Sequence, residues 1–244
     1  MPIQLITRLV LAGLCTTLIG CANRSSSRQD TAQRLEAVVG GEGLWLDANI
    51  VAGTASDPIR IADRARPFLH LAHRGDQPVE LALDYDKGDQ QWERRGTVTL
   101  PAGRWGFQMF EATGPGERLR VVAMADLTQV TAWLTYVENA GLADRLEPTF
   151  QTPWSNATVQ AGQPSASVPL LAHEKRYLTI ASDQSAEVSI QIDVSGMGSW
   201  HTMGSLIVSP DETRRFNFFP AFNPKKLRLV SDTDATMTAT FVYE

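Results

Sequence analysis

Cysteine is almost absent from this 244-residue chain: Cys15 and Cys21 are the only two. Two cysteines six residues apart cannot staple a small disulfide-rich fold, so whatever folds here must do so on a hydrophobic core. Signatures of catalysis are missing too. Neither GMGSW nor GQPSA has the GxSxG form of an exposed serine nucleophile. The four histidines, His70, His73, His173 and His201, include no HExxH pair, and the HLAH spacing places His70 and His73 on opposite faces of a strand, so no metal site is expected. No glycine-rich phosphate loop opens a helix, and no cofactor is expected. Basic excess is also lacking. Once Arg8 is set aside, 21 Lys and Arg face 27 Asp and Glu, a net charge of −6. A mildly acidic, well-mixed surface is a poor match for nucleic acid, which selects basic faces. Finally, no apolar run reaches the roughly 20 residues that span a bilayer.

What the chain does have at its start is an apolar run of twelve residues, Leu9 to Gly20, preceded by a single charge, Arg8. That length suits a cleavable export signal, whose apolar region is about 7 to 15 residues, and is too short for a membrane anchor. At its end, Leu18-Ile19-Gly20-Cys21 resembles the lipobox of bacterial lipoproteins. The resemblance implies that residues 1–20 are removed and that Cys21 becomes the lipidated N-terminus. Removal of Cys15 with the signal leaves one cysteine, and acylation accounts for that lone thiol. Two or more acyl chains anchor stably where one is marginal, so the expected membrane partner is reached through lipid at Cys21. Ala22 follows, not the aspartate that in enteric bacteria retains lipoproteins at the inner membrane, so the outer membrane is expected, the leaflet being open. Residues 21–43 read as a tether, polar at first (ANRSSSRQD) and unable to bury a core. Helical character is confined to 1–20 and 30–39.

The rest is organised by an internal duplication. Trp45 and Trp154 are 109 residues apart, and the same spacing relates Ala52-Gly53 to Ala161-Gly162, Leu69 to Leu178, Leu71 to Ile180, Val79 to Val188, Leu81 to Ile190, Leu83 to Ile192 and Asp84 to Asp193. With one-residue adjustments the match continues through Trp92/Trp200, Gly96/Gly204, Phe107/Phe216, Phe110/Phe219, Leu119-Arg120/Leu227-Arg228, Asp126/Asp234 and Tyr136/Tyr243. Two modules follow, 44–141 and 150–244. Each is a succession of short runs with period-two alternation, such as PVELALDYD and EVSIQIDVS, between turn signals such as RGDQP and SGMGS, the pattern of antiparallel strands with one buried face. About 100 residues and seven or eight strands per copy predict an all-β fold of two tandem antiparallel β-sandwiches, behind a signal helix and a flexible tether.

Comparing the copies separates residues the fold needs from residues it does not. In the last strand Val130, Ala132, Leu134 and Tyr136 match Met237, Ala239, Phe241 and Tyr243 and define the core face, so Trp133 points outward, where the second copy has Thr240. Trp105 is matched by Arg214. Trp45/Trp154 and Trp92/Trp200, kept in both copies, read as structural. The unshared Trp105 and Trp133 are therefore the candidate ligand-binding residues, as outward rings that can stack on a sugar face, with burial where the two modules meet as the equal alternative. Asp84, Asp86 and Asp89 in DYDKGDQQW suggest calcium, but the copy DVSGMGSW keeps only Asp193, and a turn capped by Asp84 or Asp193 with Gly88 or Gly196 at unusual backbone angles is the better reading.

The order YLTIASDQ, EVSIQID, a G-x-G-x-W turn, FNFFPAF and KLRLVSDTDATMTATFVY resembles repeated β-sandwich modules appended to secreted bacterial proteins, some of them acting on polysaccharides. That resemblance implies a fold and a setting more than a ligand. The expected role is a non-enzymatic envelope lipoprotein that binds a glycan or another envelope component. The alternatives are a scaffold subunit that binds a partner protein and a glycan-acting enzyme whose carboxylates come together from distant strands.

Overall fold

A computed structural model describes residues 39–62, 64–86, 91–110, 117–138 and 147–244. The signal, Cys21 and most of the tether, including 30–38 of the expected helical stretch, lie outside the described residues. Val39, the last residue of that stretch, opens a strand instead.

The first module contains eight strands: β1 (Val39–Ile50), β2 (Ile59–Arg60), β3 (Ala65–Ala72), β4 (Val79–Asp86), β5 (Glu93–Leu100), β6 (Trp105–Met109), β7 (Arg118–Ala123) and β8 (Leu127–Val137). The second contains β9 (Thr149–Val159), β10 (Val168–Pro169), β11 (Arg176–Ser182), β12 (Ala186–Asp193), β13 (Trp200–Val208), β14 (Thr213–Phe218), β15 (Lys226–Ser231) and β16 (Ala235–Tyr243). No helix occurs among the described residues. The strands form four antiparallel sheets of four, ordered β1-β8-β3-β6 and β2-β7-β4-β5 in the first module, and β9-β16-β11-β14 and β10-β15-β12-β13 in the second. The two orders are the same once eight is added to each label, so the duplication holds strand for strand. The fold is all-β, two paired-sheet sandwiches, with the first beginning five residues before the expected boundary. Both belong to one compact unit, Leu35–Glu244.

Fine details repeat as well. Asp47 and Asn156 both take a positive φ, 46° and 49°, at matching irregularities of the first strand of each module. Asp126 accepts a hydrogen bond from the Ala52 N–H (2.8 Å), and Asp234 accepts one from Ala161 (2.7 Å). Ser56 and Ser165 each accept a strand N–H, from Val121 (3.1 Å) and Leu229 (3.0 Å). These polar groups satisfy backbone donors where the chain enters the sandwich, a structural duty independent of any ligand.

The ladders correct the sequence alignment in two places. Gly53 and Gly162 donate to the carbonyls of Ala123 and Ser231, so those two residues correspond. Ala123 faces Leu81 and Ser231 faces Val188, so Leu81 matches Val188 and not Ile190, and Leu83 matches Ile190. Asp84 then corresponds to Gln191, and Asp86 to Asp193. The error is a slip of two residues, which leaves every side chain on its own face and is invisible to hydrophobic alternation. In the other place Leu69 faces Gln108 while Leu178 faces Phe216, which makes Trp105 the counterpart of Thr213, not Arg214, Phe107 that of Arg215, and Phe110 that of Phe218. The turn residues Gly103 (φ 59°) and Asp211 (φ 62°) carry the same offset.

Candidate functional site

Three surfaces were singled out by sequence or are singled out by geometry: the outer face of β1-β8-β3-β6, the DYD turn, and the outer face of β9-β16-β11-β14.

On the first of these, alternation sends Leu69, Leu71, Ala132 and Leu134 into the sandwich and turns Phe68, His70 and Trp133 outward. Trp105 and Phe107 of β6 point the same way, since they lie opposite Ala72 and His70. In an isolated module this face would meet water. Here it meets the second module, whose Phe219 and Phe222 follow β14 directly. Phe68 lies 5.6 Å from Phe219 and 6.0 Å from Phe222 between ring centres, Trp105 lies 5.7 Å from Phe222 in a T-shaped pair, and Phe107 lies 5.3 Å from Phe219. Phe222 stacks on Phe218, which in turn stacks on Phe241 deep in the second sandwich. Phe68 and Trp133 thus belong to the hydrophobic core of the second module and not to that of their own. Trp133 is only 8% exposed. Its indole lies across Gly41 and Gly43 of β1, where a Cβ would come within 2.8 and 2.6 Å of the ring. The second copy has Phe150 and Thr152 at those two positions.

So placed, Trp133 offers no free ring face, and Trp105 is half-buried in the same seam; of the two readings of these tryptophans, the geometry is that of a module junction. Sequence reasoning did not single out Phe68, His70, Phe219 or Phe222. The signal was available: outward positions at which the copies differ, Phe68 against Tyr177 and His70 against Thr179, mark the covered face once the strands are in register.

One buried cation holds the segment after β14 in shape. Arg176 donates from Nη1 to Asn223 Oδ1 (2.8 Å) and Leu171 O (3.4 Å), and from Nη2 to Phe219 O and Pro220 O (both 2.8 Å). Its partners are oxygens of neutral groups, and burial pushes its guanidinium down to about 10. The first copy has Pro67 there. His70 is also buried, with Nε2 on Thr135 Oγ1 (3.0 Å) and no partner for Nδ1; burial, followed by the field of His201, pushes it down to about 3.

The DYD turn divides. Asp193 caps its turn as expected, accepting from Gly196 N (2.8 Å) and Gly198 N (2.7 Å), with Gly196 at φ 80°. Asp84 does not: it pairs with Arg94 and Arg120 (both 3.1 Å), while buried Asp86, the true counterpart of Asp193, pairs with Arg118. Gly88 and Asp89 lie outside the described residues. Arg120 stacks over Trp92 at 4.3 Å and Arg228 over Trp200 at 4.2 Å, so these shared tryptophans are structural partners of shared arginines. Among the described residues no three His, Cys, Asp or Glu side chains converge as metal ligands.

The outer face of β9-β16-β11-β14 is the counterpart of the covered face, and it is open. Threonines cross it: Thr152, Thr240 and Thr179 form a row, with the first two hydroxyls 3.3 Å apart, and Thr238 and Thr213 lie in the next row. Tyr177 carries the Arg215 guanidinium 3.6 Å above its ring. At one end lies a cleft of about 530 Å³ lined by Asn156, Ser182, Asp183, Asp211, Thr213 and Thr238, among others.

The fold therefore defines a tandem β-sandwich protein. No family model and no curated protein matches this chain. The solved structures that match do so remotely. The exported protein XepA of PBSX is 13% identical with a TM-score of 0.31, covering 86% of this chain and 87% of its own. The glycosylasparaginase PNGase F from Flavobacterium meningosepticum is 8% identical at 0.27, covering 84% and 96%. The tandem CBM22 domains of Paenibacillus barcinonensis Xyn10C are 9% identical at 0.22, covering 85% and 98%. Likenesses this remote carry no functional argument.

Proposed function

We propose that this chain is a non-enzymatic envelope lipoprotein, held in the outer membrane by lipid on Cys21, whose second module binds a glycan through the open face of β9-β16-β11-β14. The observation that carries the binding reading is the contrast between the two copies of that face. The first is covered; the second is open, crossed by threonine hydroxyls, and indented at one end by a cleft of about 530 Å³ whose lining adds Asn156 and the carboxylates of Asp183, Asp211 and Glu212. Threonine hydroxyls both donate and accept and carboxylates accept, which suits a polyhydroxylated partner. The anchor reading rests on the lipobox-like Leu18-Ile19-Gly20-Cys21 and on the lone cysteine that remains. A partner protein is the second reading. It is favoured by Phe107 and Met109, 42% and 50% exposed side by side on edge strand β6.

The test is a glycan-array and peptidoglycan binding screen with residues 22–244, repeated with Thr213→Val and Tyr177→Ala. Binding that drops at least fivefold in either variant at unchanged melting temperature supports the site. Silence across the panel sinks the glycan reading, and binding unchanged in both variants moves it off this face. Palmitate labelling of the full chain tests the anchor, since label persisting in Cys21→Ala would rule it out.

A further inference from the structure

We propose that the seam between the two modules is an acid-released latch: three buried histidines lie at it or beside it, and its opening uncovers the aromatic face that carries Trp105 and Trp133. This goes beyond the ligand reading and holds whichever ligand the second module takes.

The argument starts from position. Three of the chain's four histidines lie at the seam or beside it. His70 is in the aromatic face itself, 5.9 Å from Phe222 of the other module and 5.9 Å from Trp105 between ring centres. The surfaces packed on it, Thr135 from β8, Trp105 from β6 and Phe222, are uncharged; the ionisable group whose field reaches it is His201, also a base. His201 stands at the start of β13, its Nε2 on Ser199 Oγ (3.1 Å), and across the seam it feels Asp47 and Arg74 of the first module, with Asp193 from its own. His173 follows Ala172, which packs on Val137 of the first module. It is buried with no hydrogen-bond partner on either ring nitrogen, beside Tyr243 (5.7 Å) and Arg176. Neither His70 nor His173 has an acidic partner, so a proton on either is uncompensated. For His201 the two aspartates oppose burial and Arg74 without reversing them.

All three are held below the ordinary histidine value, chiefly by burial. Such a group binds its proton more tightly in the open form. The closed form therefore has its full advantage above about pH 6.5 and loses it as pH falls; for His70 alone the closed-to-open ratio drops about tenfold per pH unit until its closed-state value of about 3. Opening is separable from unfolding on the first-module side, because that module's core, including Leu69, Leu81 and Leu134, contains no residue of the second.

The test follows residues 22–244 from pH 7.5 to 4 by tryptophan fluorescence, small-angle scattering and far-ultraviolet circular dichroism. The expected result is a red shift of tryptophan emission with an increase in radius of gyration between about pH 6.5 and 4 while the sheet signal holds. His70→Phe, which keeps an aromatic ring and leaves Thr135 Oγ1 its bond to the Phe68 carbonyl, moves the midpoint at least half a pH unit lower. Overlapping profiles for wild type and His70→Phe, a radius constant to pH 4, or loss of the sheet signal together with the red shift each overturn the latch. Should the variant not fold, the wild-type histidine C2-proton resonances decide: the latch requires three of them to titrate with the change in radius, and independent titration overturns it.

Discussion

The same sheet face occurs twice in this molecule, once covered and once open, and the difference is written residue against residue. Strand register pairs Phe68 with Tyr177, His70 with Thr179, Trp105 with Thr213, Phe107 with Arg215 and Trp133 with Thr240. Every replacement exchanges a ring or imidazole for a group that water or a polar ligand can satisfy, except Tyr177, which keeps a ring and adds a hydroxyl. The inner faces show no such divergence: Leu69, Leu71 and Ala132 correspond to Leu178, Ile180 and Ala239, all fully buried. Duplicated sandwiches thus keep the core that makes each of them fold and diverge where their surroundings differ.

If the covered face belongs energetically to both modules, the largest loss comes from removing the ring at its centre. Phe68→Ala strips a fully buried side chain that touches Phe219 and Phe222, and costs about 3–5 kcal/mol in urea unfolding of residues 22–244. Its counterpart change, Tyr177→Ala on the open face, leaves the unfolding midpoint in place. Equal effects from the two would break the comparison. A smaller but still large loss is expected from Arg176→Ala, about 2–4 kcal/mol, because four oxygens lose donors in a site closed to water. Arg176→Lys recovers only part of this, since one ammonium cannot reproduce the planar fork that reaches Asn223 and the Phe219 and Pro220 carbonyls together. A lysine variant as stable as wild type would show that charge, not geometry, matters there.

How much of this could be read beforehand follows from what a period of two can and cannot encode. The all-β fold, the duplication and the core face of β8 and β16 were legible, because alternation and the recurrence of Trp45 and Trp154 report faces directly. The register of β4 against β12 was not. A two-residue slip preserves the faces, and only the hydrogen bonds of Gly53 and Gly162 to Ala123 and Ser231 reveal it. The β6 slip of one residue did change faces, but Phe107 set against Phe216 looked like a conserved aromatic and hid the error. That Trp105 and Trp133 are exceptional was visible; what covers Trp105 was not, because Phe222, which meets it, lies in the segment Phe219 to Asn223, an irregular turn after β14 whose shape depends on Arg176, forty-odd residues upstream. The open cleft had no sequence signal at all, as its lining residues are ordinary turn and strand-end types.

The smallest expected effect tests the comparison from the other side. Thr240→Trp gives the open face the residue that is buried in the first copy. A tryptophan there has no docked module above it and no glycine pair beneath it, since Phe150 and Thr152 occupy the positions of Gly41 and Gly43 and Phe150 is already 65% exposed. The indole would lie on the surface across Thr152 and Thr179, giving up little more than the hydroxyl contact between Thr240 and Thr152. Stability should therefore stay within about 0.5 kcal/mol of wild type in urea, as for other surface substitutions. Light scattering should report the same oligomeric state as wild type, because Phe219 and Phe222 are engaged within each copy. A gain of more than 1 kcal/mol would mean that the face itself, without a glycine pair beneath or a module docked above, creates the favourable site for tryptophan, and the comparison between the two copies would fail.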